Sequence, residues 1–588
     1  MLFGGVVLEL GAKARTGLYL WRLMEGRKNP AVLPMCAQKK TFPPCSEESS
    51  RLPRALPEAE GVDSEKLEAF VLRAAADKAE DLHSVTILRH GKVILERSFM
   101  PYDREVWHVT HSLCKTITSL AVGICIGDGL LHIEDRISTF FPKLHTASWY
   151  RNLTVFHLLT MTSGVSYNEV RSVTEREWIQ GFLNAPPLFP VGERFHYNSM
   201  NSYMLSSIVS AVTGKSLSDF LKCRLFEPMG IHRFHWETCP SGIDKGGWGL
   251  YLLQEDAAKL GQLILNRGVW NGKQLVAERY IRDMCLWHSD PPKSLSRNGY
   301  GYQCWPWERE NSVQLSGLFG QTVLVVPDKE MVLAVNAGSG RMFGEAAYMR
   351  DFSTLLDTGV FEDPLILKSS KALQNHSSSM KRCLQKCYGC DSETYRYEIR
   401  KGMARLLPLF IQVSENNHTT GIDRISFLRE GVRLYIVLSE GKILNKLEVG
   451  FISPVVNRIT SNGETYITAC SGKWGRKGAV PCLTLKLCFL EQASTRYFEF
   501  LFETENTLRV KLHETPDRQT LIEGTALLFD DDRAEKVLSK GRLAKRFQIL
   551  CEPELIGVRM KKAVPEITRI PPIKYSKIKG EADLIHLP

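Results

Sequence analysis

The sequence predicts a mixed α/β fold: an antiparallel sheet flanked by helices, with a helical insertion, followed by a C-terminal all-β domain. Three observations carry this. Strand-like runs open and close residues 60–360, alternating in the first hairpin and flanking a short turn at the end, and longer helix-like runs separate them. Past residue 396 nearly every apolar run is strand-like. Between the two regions, residues 361–395 are polar and rich in Ser and Lys, the composition of a linker.

Taken in order, residues 1–50 read as a tail that ends in the Pro/Ser/Glu-rich "TFPPCSEESSRLP". Asp63 or Ser64 can cap the helix "EKLEAFVLRAAADKA", whose Leu67, Phe70, Val71 and Ala74 share one face. "SVTILRHGKVILERSF" is a hairpin about His90-Gly91. "EVWHVT" is an extended piece leading to Ser112. "CKTITSLAVGICIGDGLL" is apolar almost all round, which predicts a buried helix closing near Gly127 to Gly129. Further helices are read in "TVFHLLTM", "NSYMLSSIVSAVTG", "LSDFLKCRLF" and "QEDAAKLGQLILNRG". Strands "LFGQTVLVVP" and "MVLAVNAG" flank the turn "DKE", and the helix "GEAAYMRDFSTLLDTG" completes a domain over 51–360. After the linker, "VRLYIVLSEGKILNKLEVGF", "CLTLKLCFLE" and "RYFEFLFETENTLRVKLHE" place a β-rich domain at 396–545, and 546–588 reads as a basic tail.

Composition excludes some functions. Of 588 residues, 44% are hydrophobic and 24% charged, as in a soluble globular protein. The net charge of +10 arises from 75 basic against 65 acidic residues, too mild an excess to predict nucleic-acid binding. No apolar run reaches the ~18–20 residues of a membrane span. The N-terminal "MLFGGVVLELGAKARTGLYLWRL" is interrupted by Glu9 and Lys13 and lacks a basic leader, so it reads as not secretory; Met35 leaves open whether residues 1–34 are part of the functional protein. The 15 cysteines show no paired framework, and Cys125 and Cys488 sit inside apolar runs, which predicts reduced thiols and a cytoplasmic protein. Cys383, Cys387 and Cys390 have a spacing that can ligate an iron–sulfur cluster or zinc, but they follow a completed domain and read as incidental linker cysteines.

The chemistry concentrates around "HSLCKT". A serine hydroxyl needs a base within hydrogen-bond reach to act as a nucleophile. Ser112 and Lys115 lie three apart, so they meet if a helix starts at the serine. A lysine base must lose its proton near pH 7, about three units below its reference value, and desolvation by the apolar run after Lys115 works in that direction. The start of the helix also offers the N–H of Ser112 to an oxyanion. Taken alone, the tetrad reads first as an exposed Ser and Lys on a polar helix face. Tyr197 precedes an apolar helix, and its phenol beside an ammonium could take the serine proton. Asn198, Ser199 or Asn201 could hold the substrate or the lysine, or could simply cap that helix. In "SGLFGQTVLVVP", Gly317 and Gly320 bracket a strand start where a ligand can approach, and Gln321 would supply a second oxyanion N–H.

In that order the segments resemble the serine β-lactamase-like hydrolases: class C β-lactamases, D-amino-acid peptidases, family VIII esterases and 6-aminohexanoate-dimer hydrolases. "DGLLHIEDRISTFFP", "LTVFHLLTMTSG", "GGWGLYLLQEDAAKLGQLILNRGVWNGKQL" and "GYGYQCW" are similar to the family's landmarks, and the likeness covers about 50–360. The β-rich extension loosely resembles that of some bacterial members. The resemblance implies a β-lactamase/transpeptidase-like sheet and a serine hydrolase that forms an acyl-enzyme. It makes Ser112 the nucleophile, Lys115 and Tyr197 the base pair, and the N–H groups of Ser112 and Gln321 the oxyanion hole, with Gly320, Asn198, Ser199 and Leu318 binding substrate. No metal or organic cofactor is implied. Where class C enzymes carry Lys-Thr-Gly this chain carries Leu318-Phe319-Gly320, so the grip on a β-lactam carboxylate is missing and a small ester or amide becomes the expected substrate. The rival reading is a non-hydrolytic or slowly deacylating protein that binds peptide or cell-wall fragments on the same fold. The sequence leaves the oligomeric state open.

Overall fold

The computed structural model describes residues 50–364 and 421–520, apart from 173–174, 294, 342–345, 432, 441, 462, 505–506 and 518–519, together with the backbone of 392–399 and 554–559. The tail to residue 49, linker residues 365–391 with Cys383, Cys387 and Cys390, and most of 546–588 lie outside the described residues.

The chain enters through α1 (Ser64–Ala76), whose N-cap is Asp63: its carboxylate accepts from the N–H groups of Glu65 and Lys66. The hairpin β1 (Leu82–Arg89) and β2 (Lys92–Ser98) follows, then the short β3 (His108–Val109) and α2 (Cys114–Gly127). The insertion contributes α3 (Ser199–Thr213), the small strands β4 (Phe234–Trp236) and β5 (Leu250–Leu252), and α4 (Gln254–Leu265). The chain then returns to the main sheet through β6 (Trp305–Pro306), β7 (Val313–Gly317), β8 (Gln321–Val326) and β9 (Met331–Ala337), and closes with α5 (Ala347–Thr358). The sheet order is β2-β1-β9-β8-β7-β6, antiparallel throughout.

Period-two alternation buries both faces of this sheet. Leu324, Val326, Met331 and Leu333 pack with Phe70 of α1 and Phe352 of α5 on one side. Val323, Val325, Val332 and Ala334 pack on the other with α2, α3 and α4. Helix α4 comes so close that a Cβ on Gly261 would stand 2.7 Å from methyls of both Val323 and Val332. The predicted sandwich of antiparallel sheet and helices is therefore present. The sequence reading missed β7 as a strand.

The second body is one sheet of ten antiparallel strands: β10 (Ser392–Ile399), β11 (Arg424–Glu430), β12 (Arg433–Glu440), β13 (Ile443–Glu448), β14 (Val455–Ser461), β15 (Glu464–Lys477), β16 (Val480–Phe489), β17 (Thr495–Thr504), β18 (Thr507–Thr515) and β19 (Glu554–Arg559). Its order is β13-β12-β11-β10-β19-β18-β17-β16-β15-β14. Side-chain amides bridge the two edges: Asn445 pairs with the backbone of Thr460, and Asn457 with that of Glu448. The sheet thus closes on itself, which removes its exposed edges. Alternate residues such as Phe427, Ile436, Leu485, Phe498 and Val510 fill the interior. Two boundaries move. Residues 392–395, read as linker, belong to β10, and β19 lies inside the stretch read as a basic tail. Neither short strand is an apolar run, so neither carried a strong signal.

Candidate active site

Ser112 sits in a single 3₁₀ turn, His111–Leu113, immediately before α2. Strand β3 delivers it: Val109 pairs with Tyr251, and Thr110 donates both its N–H and its hydroxyl to Leu250 O, at 2.8 and 2.9 Å. The turn brings Ser112 over the first residues of α2, and Lys115 Nζ donates to Ser112 Oγ at 2.9 Å. A second bond from Nζ reaches Gly247 O at 2.6 Å. Lys115 is 2% exposed, and both of these partners are neutral oxygens rather than carboxylates. The ring of Tyr197 faces the ammonium, with its centroid 5.1 Å from Nζ. Trp305 stacks against Tyr197 at 5.9 Å and 20°. The structure therefore brings Ser112, Lys115 and Tyr197 together.

The binding residues divide differently. Asn198 is the N-cap of α3: its Oδ1 accepts from Met200 N, and its Nδ2 donates to Val165 O and Tyr167 O at 2.9 Å each. With its amide so occupied it is a capping residue, and it does not line the cleft that Ser112 opens into. Ser199 is buried beside it, its N–H held by Glu169, and it too stands away from the cleft lining. Asn201, buried in α3, donates to Met161 Sδ.

The expectation for Gln321 concerns its backbone N–H, and its side chain has a separate structural role. It is completely buried, and its amide donates to Leu318 O, Phe319 O and Ala337 O, tying the turn between β7 and β8 together. The glycine that abuts the nucleophile is Gly317: a Cβ there would stand 2.2 Å from Thr110 O and 3.2 Å from Leu113 N. Gly317 and Leu318 line the cleft with Ser112, whereas Gln321 does not. Gly320 lines it as well and has a φ of +88°, in the region that favours glycine.

The cleft itself measures about 500 Å³, ordinary for a small-molecule site. Tyr197, Trp305 and Trp307 give it aromatic walls, and Lys293, Arg297 and Arg341 also line it. The cation missing from the 318–320 stretch is thus not missing from the cleft, although all three of these side chains are solvent-exposed. Beside the serine, burial pushes the His111 imidazole down to about 4, so it is neutral at pH 7. Burial also raises the Cys114 thiol to about 12, which makes it inert next to the nucleophile.

Sequence reasoning missed two groups. Gly247 acts through a backbone carbonyl, held by a turn in which Gly246 has a φ of +65° and Gly247 N donates to Lys245 O at 2.6 Å. Its only trace in the sequence is the double glycine of "DKGGWG". Gly317 was noticed, but Gly320 was given its place.

The family model described as Beta-lactamase matches residues 76–355. The 6-aminohexanoate-dimer hydrolase of Paenarthrobacter ureafaciens is 23% identical over 279 residues, which is 42% of this chain and 70% of that protein. Penicillin-binding protein 4* of Bacillus subtilis is 20% identical over 252 residues, 39% of this chain and 54% of that protein. Among solved structures, the octameric penicillin-binding protein homologue from Pyrococcus abyssi aligns with a TM-score of 0.40 and 19% identity, covering 76% of this chain and 98% of that one. Among the described residues no helix is long and apolar enough to cross a membrane.

Proposed function

We propose, because residues 76–355 belong to the beta-lactamase family, that this chain is a serine hydrolase that cleaves a small ester or amide through an acyl-enzyme on Ser112. The observation that carries the reading is the 2.9 Å contact between Nζ of the buried Lys115 and Oγ of Ser112, which lines the cleft. A base at that distance is within reach of the proton it must take. Ser112 Oγ bonds to the substrate carbonyl carbon, and its proton passes to the Lys115–Tyr197 pair. The tetrahedral oxyanion is held by the N–H of Ser112 and by that of Leu318, which follows the glycine against the nucleophile. The leaving alcohol or amine departs with the proton. Water then cleaves the acyl ester and restores the serine.

The aromatic walls favour a substrate with a flat or apolar portion beside the scissile bond. The test is covalent labelling. A fluorophosphonate probe should modify Ser112, and Ser112→Ala should abolish labelling in a protein that still folds. Labelling at another residue, or labelling that persists in the variant, overturns the assignment.

A further inference from the structure

The C-terminal sheet touches the hydrolase domain at the two segments that frame Ser112. On one side, the turn after β16 meets β3. Glu491 O accepts from Val109 N at 2.9 Å, and Glu491 Oε1 accepts from Trp107 Nε1 at 2.6 Å. The same carboxylate is anchored within its own domain, since Oε2 accepts from Ile467 N at 2.7 Å. Glu491 and Trp107 are each 1% exposed.

The neighbouring residue opens a longer path. Gln492 Nε2 donates to Tyr251 Oη at 2.7 Å, and Tyr251 Oη donates to Glu237 Oε1 at 3.3 Å. Glu237 Oε2 accepts from Lys245 Nζ at 2.5 Å. Lys245 O accepts from Gly247 N, and the carbonyl of Gly247 is the second partner of Lys115. On the other side, Phe319 belongs to the interior cluster of the β sheet, 1% exposed, while its backbone forms the turn between β7 and β8. Its ring also packs edge-on against His111, the residue before Ser112, at 5.3 Å.

We infer that the C-terminal β domain is a working part of the hydrolase site: through Glu491 and Gln492 it positions the Ser112 segment and the carbonyl that aims Lys115, and through Phe319 it fixes the oxyanion turn. This rests on the serine-hydrolase reading above. Glu491 and Gln492 touch no reacting atom, and they act through Trp107, Val109 and Tyr251 as positioning residues. Buried polar bonds of this kind hold one geometry because each member left unpaired is costly.

The test uses the full chain with Gln492→Ala, Tyr251→Phe, the double variant, and Trp107→Phe. The fluorophosphonate reaction is followed to saturation, so that the maximal labelling rate and the probe's apparent affinity are read separately. Hydrogen exchange of residues 107–113 is measured in parallel. The expected result is a maximal rate at least tenfold lower with apparent affinity changed less than twofold, and faster exchange at 107–113. The double variant should lose no more than Gln492→Ala alone, because both substitutions cut one path. A lowered melting temperature with an unchanged maximal rate overturns the inference, since it would make the domain a passive clamp. If the wild-type chain is not labelled at Ser112, the hydrolase reading falls and the inference about the site falls with it. The exchange data then still report whether the strut exists, and unchanged exchange at 107–113 removes that too.

Discussion

Replacing Lys115 by Met separates chemistry from stability. The ammonium lies 2% exposed and bonds to two neutral oxygens, Ser112 Oγ at 2.9 Å and Gly247 O at 2.6 Å. Losing it leaves the Gly247 carbonyl without that bond, a cost of ~1–3 kcal/mol. Against this, the wild-type protein keeps a strongly hydrated amine out of water with the neutral oxygens of Ser112 and Gly247 as its hydrogen-bond partners, a desolvation cost of up to several kcal/mol. Met has nearly the same length and no charge, so it fills the space without that penalty. The second effect is the larger. Lys115→Met should therefore be no less stable than the wild type, with a gain of up to about 2 kcal/mol in urea unfolding. Labelling of Ser112 should fall roughly 10²- to 10⁴-fold, the range for loss of a general base. A variant destabilised by about 3 kcal/mol or more that still labels at the wild-type rate would refute the reasoning, because it would make Lys115 a structural cation.

Three further outcomes follow from the geometry. Short p-nitrophenyl esters should be hydrolysed at least tenfold better than nitrocefin, because with Gly317 against the nucleophile the strand position two residues before it is the buried, apolar Leu315, and a β-lactam carboxylate finds no charge-assisted bond of ~1.5–3 kcal/mol there; a faster wild-type rate on nitrocefin would hand that role to an exposed cation such as Arg341. Gly317→Ala should reduce labelling at least a hundredfold, since its Cβ would stand 2.2 Å from Thr110 O, while Gly475→Ala, which meets nothing within 4 Å, should label normally. Stability should fall in acid: His111 protonates near 6.5 unfolded but near 4 folded, so the unfolded chain binds more protons between those values, and a contribution of about 3 kcal/mol, complete above pH 6.5, is lost as pH drops toward 4. Melting curves of His111→Gln over that window should show a shallower decline than those of the wild type, and an equal slope would show that other buried groups carry it.

The residues that were legible in the sequence are those whose signal is local. Asp63 announces α1 because capping is a matter of the next three residues. The continuous apolar runs "TVLVV" and "VLAV" specify β8 and β9 because both faces of these strands are buried. Ser112 and Lys115 meet because one turn of helix places them there. The errors are all non-local. Asn198 follows Tyr197, which suggested substrate binding, but its amide is spent on Val165 and Tyr167, some thirty residues earlier in the chain. The choice between Gly317 and Gly320 depends on which of them crosses Thr110, and no spacing rule contains that crossing. Gly247 works through a carbonyl that every residue type possesses.

The apolar pair Leu318-Phe319 shows how far a single strand-end motif can mislead when its partner domain is out of view. In the sequence it marks the loss of a substrate-gripping cation. In the fold, Phe319 holds a backbone φ of +64°, a conformation that costs a bulky residue ~1–2 kcal/mol, and its ring is 1% exposed within the β-domain interior. Burial of a Phe contributes more than that strain removes, since deleting such a ring costs ~3–5 kcal/mol. The residue therefore answers to docking between the domains, and the strain is tolerated for it. This has a measurable signature. Phe319→Ala loses the ring and keeps the strained backbone, so it should be destabilised by about 3–5 kcal/mol. Phe319→Gly loses the same ring but relieves the strain, so it should be more stable than the Ala variant by about 1 kcal/mol, the reverse of the order found in helices and strands. Urea unfolding of both variants at one temperature reads the difference directly. If Ala proves the more stable, or if both stay within about 1 kcal/mol of the wild type, then Phe319 anchors nothing and the case for a docked β domain loses its apolar half.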